Sequence, residues 1–124
     1  MLLTISLYSY MVMFMAKKNL TPEALKMIAN RFKVLSEPIR LQILHRLQEG
    51  EMSVGELTLA VKTSQPNVSK HLKILQREGI LVRNQRGNTV YYEIADETIF
   101  ALCETVCDAL EEKFKEDARV FELV

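Results

Sequence analysis

Tryptophan is absent, and cysteine, proline and glycine are scarce, at 2, 3 and 4 residues of 124. Two thiols are too few to staple a small secreted scaffold, and both, Cys103 and Cys107, fall in one helical stretch, so a reducing cytoplasm is the expected compartment. So little Gly and Pro excludes a collagen-like repeat and long low-complexity linkers. Neither sign of charge is in excess, because 16 basic and 16 acidic residues sum to zero, and net charge therefore argues for no polyanionic partner. An uninterrupted run of about 20 apolar residues, enough for a membrane span, is also missing. The most apolar stretch, from Met1 to Ala16, is broken by Thr4, Ser6, Tyr8, Ser9 and Tyr10, and it has neither the basic start nor the small-residue cleavage site of a signal peptide. No membrane partner is expected. Residues 1–18 read as an apolar extension, either disordered or not native, ahead of a working domain over residues 19–118 and a tail over 119–124. Catalytic signatures are lacking too: there is no CxxC, no glycine-rich phosphate loop, no Ser/His/Asp set and no paired carboxylates in a plausible cleft, so no enzyme is expected.

What is present is an ordinary soluble composition, 48% hydrophobic and 26% charged, with an uneven layout of charge. Between Lys62 and Arg86 the basic residues are Lys62, Lys70, Lys73, Arg77, Arg83 and Arg86, against the single acid Glu78. From Glu93 onward acids dominate, among them Asp96, Glu97, Glu104, Asp108, Glu111 and Glu112. A basic middle beside an acidic end lets one face meet phosphate while another stays solvated. A small domain rich in helix formers often completes its core by dimerising.

Local signals divide the chain into elements. Thr21-Pro22-Glu23 is a helix start, and the spacing places Leu25, Ile28, Ala29 and Phe32 on one face. A second helix follows Ser36-Glu37-Pro38, turns Ile39, Ile43, Leu44 and Leu47 inward, and stops at Gly50. Ser53-Val54-Gly55-Glu56 is a capping box opening a third helix with Leu57, Leu59 and Val61 on its apolar side. Ser64 caps a fourth, whose apolar positions Val68, Leu72 and Leu75 keep helical spacing as far as Gly79. The period then changes. Ile80–Arg83 and Thr89–Ile94 read as strands joined through Asn84-Gln85-Arg86-Gly87-Asn88, a β-hairpin. A last helix runs from about Asp96 to Lys115 or beyond. The expected fold is mainly α with a β-hairpin wing, in the order α-α-α-α-β-β-α: a winged helix-turn-helix.

That plan has a direct physical use. An α-helix fits the major groove of DNA, and its N-terminal residues reach base edges. With the apolar stripe of the fourth helix turned inward, the residues left over are Gln65, Asn67, Ser69, Lys70, His71 and Lys73, behind the cap Ser64, with His71 belonging either to this DNA-facing set or to the helix-turn-helix packing. Amides pair bidentately with adenine, and lysines reach guanine or phosphate. The hairpin tip adds Arg83, Arg86 and Asn88, suited to the backbone or the minor groove. The partner these residues describe is double-stranded DNA. A protein-interaction module with the same shape is the alternative, disfavoured by the basic run.

The stretches FKVLSEPIRLQIL (Phe32–Leu44), SVGEL (Ser53–Leu57), QPNVSKHLKILQREGIL (Gln65–Leu81) and RNQRGNTVYYEI (Arg83–Ile94) resemble, in this order and spacing, the ArsR/SmtB family of winged-helix regulators. The resemblance runs from Arg31 to about Phe114, about two thirds of the chain. It implies a homodimer with the first and last helices at the subunit interface, and a repressor released from its operator by an inducer, often a metal ion. It also implies that Gln65, Asn67, Ser69, Lys70 and His71 match recognition-helix positions. The family's metal sites are incomplete here. Thr58 and Ala60 stand where one site has thiols, and Thr98 and Ala109 stand where another has histidines, although Asp96 and Glu112 remain.

Cys103 and Cys107, spaced i and i+4, lie on one helix face. Across a two-fold axis, four thiols would converge to suit a thiophilic metal or metalloid inducer, and thiols of lowered pKa would suit a redox sensor. The same two residues also continue the Phe100, Leu110, Phe114 seam of a helix–helix interface, in which Cys is simply a small hydrophobe. Sequence leaves both readings open, and no resident cofactor is assigned.

Overall fold

The structure, a computed structural model, describes residues 19–115. Its elements in chain order are α1 (Pro22–Leu35), α2 (Pro38–Leu47), β1 (Met52–Ser53), α3 (Val54–Val61), α4 (Gln65–Arg77), β2 (Leu81–Arg86), β3 (Thr89–Ile94) and α5 (Thr98–Lys113). The expected extension over residues 1–18 and the tail over 119–124 lie outside the described residues. The chain divides between Glu37 and Pro38 into two units.

In the first unit, α1 opens as anticipated. The Thr21 hydroxyl accepts from the Ala24 amide at 3.1 Å, and Pro22 occupies the first turn. Of its expected apolar face, Leu25 and Phe32 stand about half exposed, while Val34 and Leu35 near its end are buried.

The second unit contains the winged helix-turn-helix. Ile43 of α2, Leu57 of α3, Val68, Leu72 and Leu75 of α4, and Ile80 ahead of β2 are completely buried. Each contributes about 1.5–3 kcal/mol of burial, and together they fix α4 to the helices before it. The reciprocal capping box at Ser53 and Glu56 is formed, with bonds of 3.0 and 3.1 Å. Helix α3 ends on Lys62 in the left-handed conformation (φ 59°), whose amide bonds the Thr58 carbonyl at 3.1 Å. That turn reverses the chain into α4.

The sheet has strand order β1-β3-β2 and is antiparallel throughout, with Leu81 opposite Ile94 and Arg86 opposite Thr89. The short β1, which the sequence reading lacks, adds Met52 opposite Tyr92 and Ser53 opposite Tyr91. The hairpin is tighter than the expected five-residue connection. Strand β2 continues to Arg86, leaving Gly87 and Asn88 as the turn, and Gly87 has φ +63°. A positive φ at the first central position is the type II′ pattern, which favours Gly there and matches the strand twist.

A further expectation fails at Leu59, which is 82% exposed rather than packed with Leu57 and Val61. On an eight-residue helix, positions 57 and 61 share a face and position 59 points almost opposite. At its start α5 is held by Asp96, whose carboxylate accepts from the Thr98 amide (3.0 Å) and hydroxyl.

Candidate nucleic-acid interface

Helix α4 is divided cleanly by its sequence. Val68, His71, Leu72 and Leu75 are buried, while Gln65, Lys70 and Lys73 are exposed and Asn67 and Ser69 half-buried. The helix starts where Ser64 Oγ accepts from the Asn67 amide at 3.3 Å, and no acid stands in its first turn. Its positive N-terminal end is therefore uncompensated by side-chain charge. The Asn67 amide nitrogen donates to Thr63 Oγ1 at 3.2 Å, which orients that side chain on the helix start.

Between α4, the start of α3 and the wing lies an open cleft of about 440 Å³. Gln65, Ser69 and Lys73 line it from α4, Arg83 and Asn88 from the wing, and Ser53, Val54 and Gly55 from the opening of α3. Among the described residues no carboxylate lines it. The alternation of β2 explains why Arg83 faces this side: it pairs with the buried Tyr92, which also borders the cleft. The cleft thus offers two cations, amide and hydroxyl groups, and a helix start, the donor set that phosphate oxygens and base edges require.

Two of the expected contact residues are elsewhere. His71 is only 5% exposed, and its Nδ1 accepts from Arg40 Nε at 3.1 Å, so it belongs to the packing between α4 and α2 and not to a groove-facing surface. The signal was in the spacing, because 68, 71, 72 and 75 form one helix face. Arg86 sits on the side of the wing opposite the cleft, stacked over the Tyr91 ring at 3.9 Å from its centroid and paired with Glu51. Conversely, Ser53, Val54, Gly55 and Thr89 border the cleft although the sequence reading did not assign them to the site. The capping box was the available sign for the first three, since a helix start projects amides.

On α5, Cys103 and Cys107 are both half-buried. Burial pushes the Cys103 thiol up from its ordinary value and so favours the protonated form. Among the described residues no group of three or more His, Cys, Asp or Glu side chains is placed to hold a metal ion. Val106, Leu110 and Phe114 on the same helix are 49, 42 and 48% exposed. No helix among the described residues is long and apolar enough to cross a membrane.

The model of the arsR family of bacterial regulatory proteins matches residues 37–82, from the start of α2 into β2. The biofilm growth-associated repressor of Xylella fastidiosa is 36% identical over 69 residues, which are 56% of this chain and 60% of the repressor, so the match spans less than two thirds of that relative. The arsenic resistance transcriptional regulator ArsR1 of Pseudomonas putida is 38% identical over 91 residues, 70% of this chain and 71% of its own. Among solved structures, the homodimeric winged helix-turn-helix DNA-binding domain of Mb0332 from Mycobacterium bovis superposes with a TM-score of 0.66 at 31% identity, covering 77% of this chain and 93% of that one.

Proposed function

The chain belongs to the arsR family of bacterial regulatory proteins, and on that premise we propose that it is a homodimeric, non-enzymatic transcription regulator of the cytoplasm that represses by occupying operator DNA. The observation that carries this reading is the cleft in which Lys73 of α4 and Arg83 of the wing stand together with no carboxylate lining it among the described residues. In this reading α4 lies in the major groove behind its cap Ser64. Gln65, Asn67, Ser69 and Lys70 face base edges, while Lys73, Arg83 and Asn88 meet the flanking backbone. His71 and Arg86 have no direct part in contact. The homodimeric Mb0332 domain supports a two-fold arrangement, which sets half-sites about one helical turn apart.

The test is selection of duplexes from a random-sequence pool by the purified protein, followed by affinity measurement across a salt series. A palindromic motif and a log–log salt slope near −0.9 per neutralised phosphate are expected. Failure to enrich any motif, with retention on heparin unaffected by neutralising Lys73 and Arg83, would overturn the reading in favour of a protein-interaction module.

A second reading concerns release. Cys103 and Cys107 stand one turn apart on α5, half-buried, and one relative is named for arsenic resistance. With no three-ligand group among the described residues of one protomer, a thiophilic metalloid or metal would draw on both thiols and on those of the second copy. Arsenite, Zn(II) and Cd(II) titrated into the protein–duplex complex should release DNA from the wild type and not from a Cys103→Ser, Cys107→Ser variant. An equal response of the two proteins would make the thiols packing groups and leave a repressor without thiol sensing.

A further inference from the structure

Strand β1 is two residues long and pairs with β3 only at Tyr91 and Tyr92. Toward the tip, Arg86–Thr89 is the last rung of a hairpin whose two strands have only each other. A two-stranded ribbon is marginal by itself, yet this one carries Arg83 and Asn88 on its cleft side. The opposite side of the wing holds a second set of contacts. Val82, Asn84 and Arg86 alternate away from Arg83, and Asn84 Nδ2 donates to Glu93 Oε1 at 3.3 Å. The Arg86 guanidinium crosses the Tyr91 ring and donates through Nη1 to Glu51 Oε2 at 3.2 Å and through Nη2 to Oε1 of the same carboxylate. One side chain therefore links edge strand β2, across the central strand, to the residue just ahead of edge strand β1. Its anchor, Glu51, directly precedes β1, and β1 runs into the start of α3, where Ser53, Val54 and Gly55 form the far wall of the cleft.

We propose that Arg86 is a positioning residue: clasped to Glu51 over Tyr91, it holds the wing at a fixed distance from the start of α3 and so sets the opening of the cleft that must admit a DNA backbone phosphate to Lys73 and Arg83. This inference rests on the DNA-binding reading. It separates the two wing arginines by role, since the charge of Arg86 is already matched by a bidentate carboxylate, whereas Arg83 faces the cleft. The bond to Arg86 also holds the Glu51 carboxyl below its ordinary pKa, so the clasp is charged at neutral pH.

The experiment uses the full chain and the duplex enriched from the random pool. Glu51→Gln removes an acid, and charge alone predicts tighter binding; the clasp predicts affinity weaker by roughly two- to fivefold, the scale of an exposed ion pair. Arg86→Gln should weaken binding as much, with the salt slope unchanged. Arg83→Gln should instead reduce the slope by about 0.9. Exchanging the pair, Glu51→Arg with Arg86→Glu, should recover most of the loss. In Glu51→Gln the amides from Arg86 to Thr89 should exchange with deuterium faster while those of α4 do not change. Binding as tight as wild type in Glu51→Gln, or a slope reduced by about 0.9 in Arg86→Gln, overturns the clasp and makes Arg86 a phosphate ligand. If the wild type enriches no duplex, the DNA-binding reading falls. The clasp is then judged on amide exchange alone, and unchanged exchange at the tip rejects it.

Discussion

Arg40 Nε on α2 donates to His71 Nδ1 on α4 at 3.1 Å, in a place where His71 is nearly sealed from solvent. Nδ1 accepts only in the tautomer that carries its proton on Nε2, so the contact fixes which ring nitrogen faces Arg40. The polar group in the middle of the inward face of α4 is thereby made compatible with burial among Val68, Leu72 and Leu75.

Replacing His71 by Ala should lower stability by about 2–3 kcal/mol, from the space left in the core and the lost bond. Urea unfolding of the two proteins measures this. Affinity for the enriched duplex, corrected for the folded fraction, should change little, because the side chain points away from the groove. A stable His71→Ala protein with weak, base-dependent binding would return His71 to the reading surface.

The cleft makes a distinction between positions that charge counting cannot. Lys73→Ala and Arg83→Ala should weaken binding to all duplexes alike, each reducing the salt slope by about 0.9. Gln65→Ala and Asn67→Ala should leave the slope alone and cost about 1–3 kcal/mol only on the enriched sequence. Fluorescence anisotropy with matched and scrambled duplexes separates the two outcomes, and a slope change on Gln65→Ala would mean that the helix meets backbone, not bases.

Much of this arrangement is legible in the sequence. Ser64, Pro66 and the 68-72-75 spacing define α4, and the box at Ser53 and Glu56 defines α3, because caps and period are local physics. The misses are the parts that depend on distant partners. Asn84, Gln85 and Arg86 are polar on both sides of β2, so alternation does not reveal the strand. The Glu51–Arg86 pair spans 35 positions and has no periodic signature. A strand as short as β1 shows no period at all. For His71 the residue type alone fits either the DNA-facing set or the helix-turn-helix packing, and its place on the 68-72-75 face is the signal that favours packing.

The exposed apolar side of α5 supplies a prediction about assembly. Leu110 is 42% exposed in the single chain, so Leu110→Glu should fold normally yet weaken a homodimer by about 2 kcal/mol or more if that side is its seam. Sedimentation at several concentrations reads the shift toward monomer, and duplex affinity should fall with it. An unchanged dimer would exclude this face of α5 from the interface.

Burial gives Cys103 a pH signature that bears on its use as a sensor. Its thiol is pushed above the ordinary value, so the neutral form is favoured in the fold. The corresponding stabilisation is fully present below the unfolded thiol pKa and is lost as pH rises through the higher folded one. In a Cys107→Ser variant, alkylation of Cys103 by iodoacetamide should therefore be slow near neutrality. It should accelerate at a higher pH in the native protein than in urea, because the thiolate is the reacting species. A metalloid that must displace the Cys103 proton should correspondingly act better as pH rises. Rapid alkylation of native Cys103 at neutral pH, faster than in urea, would show a thiolate stabilised by the fold and would reverse the expected sign.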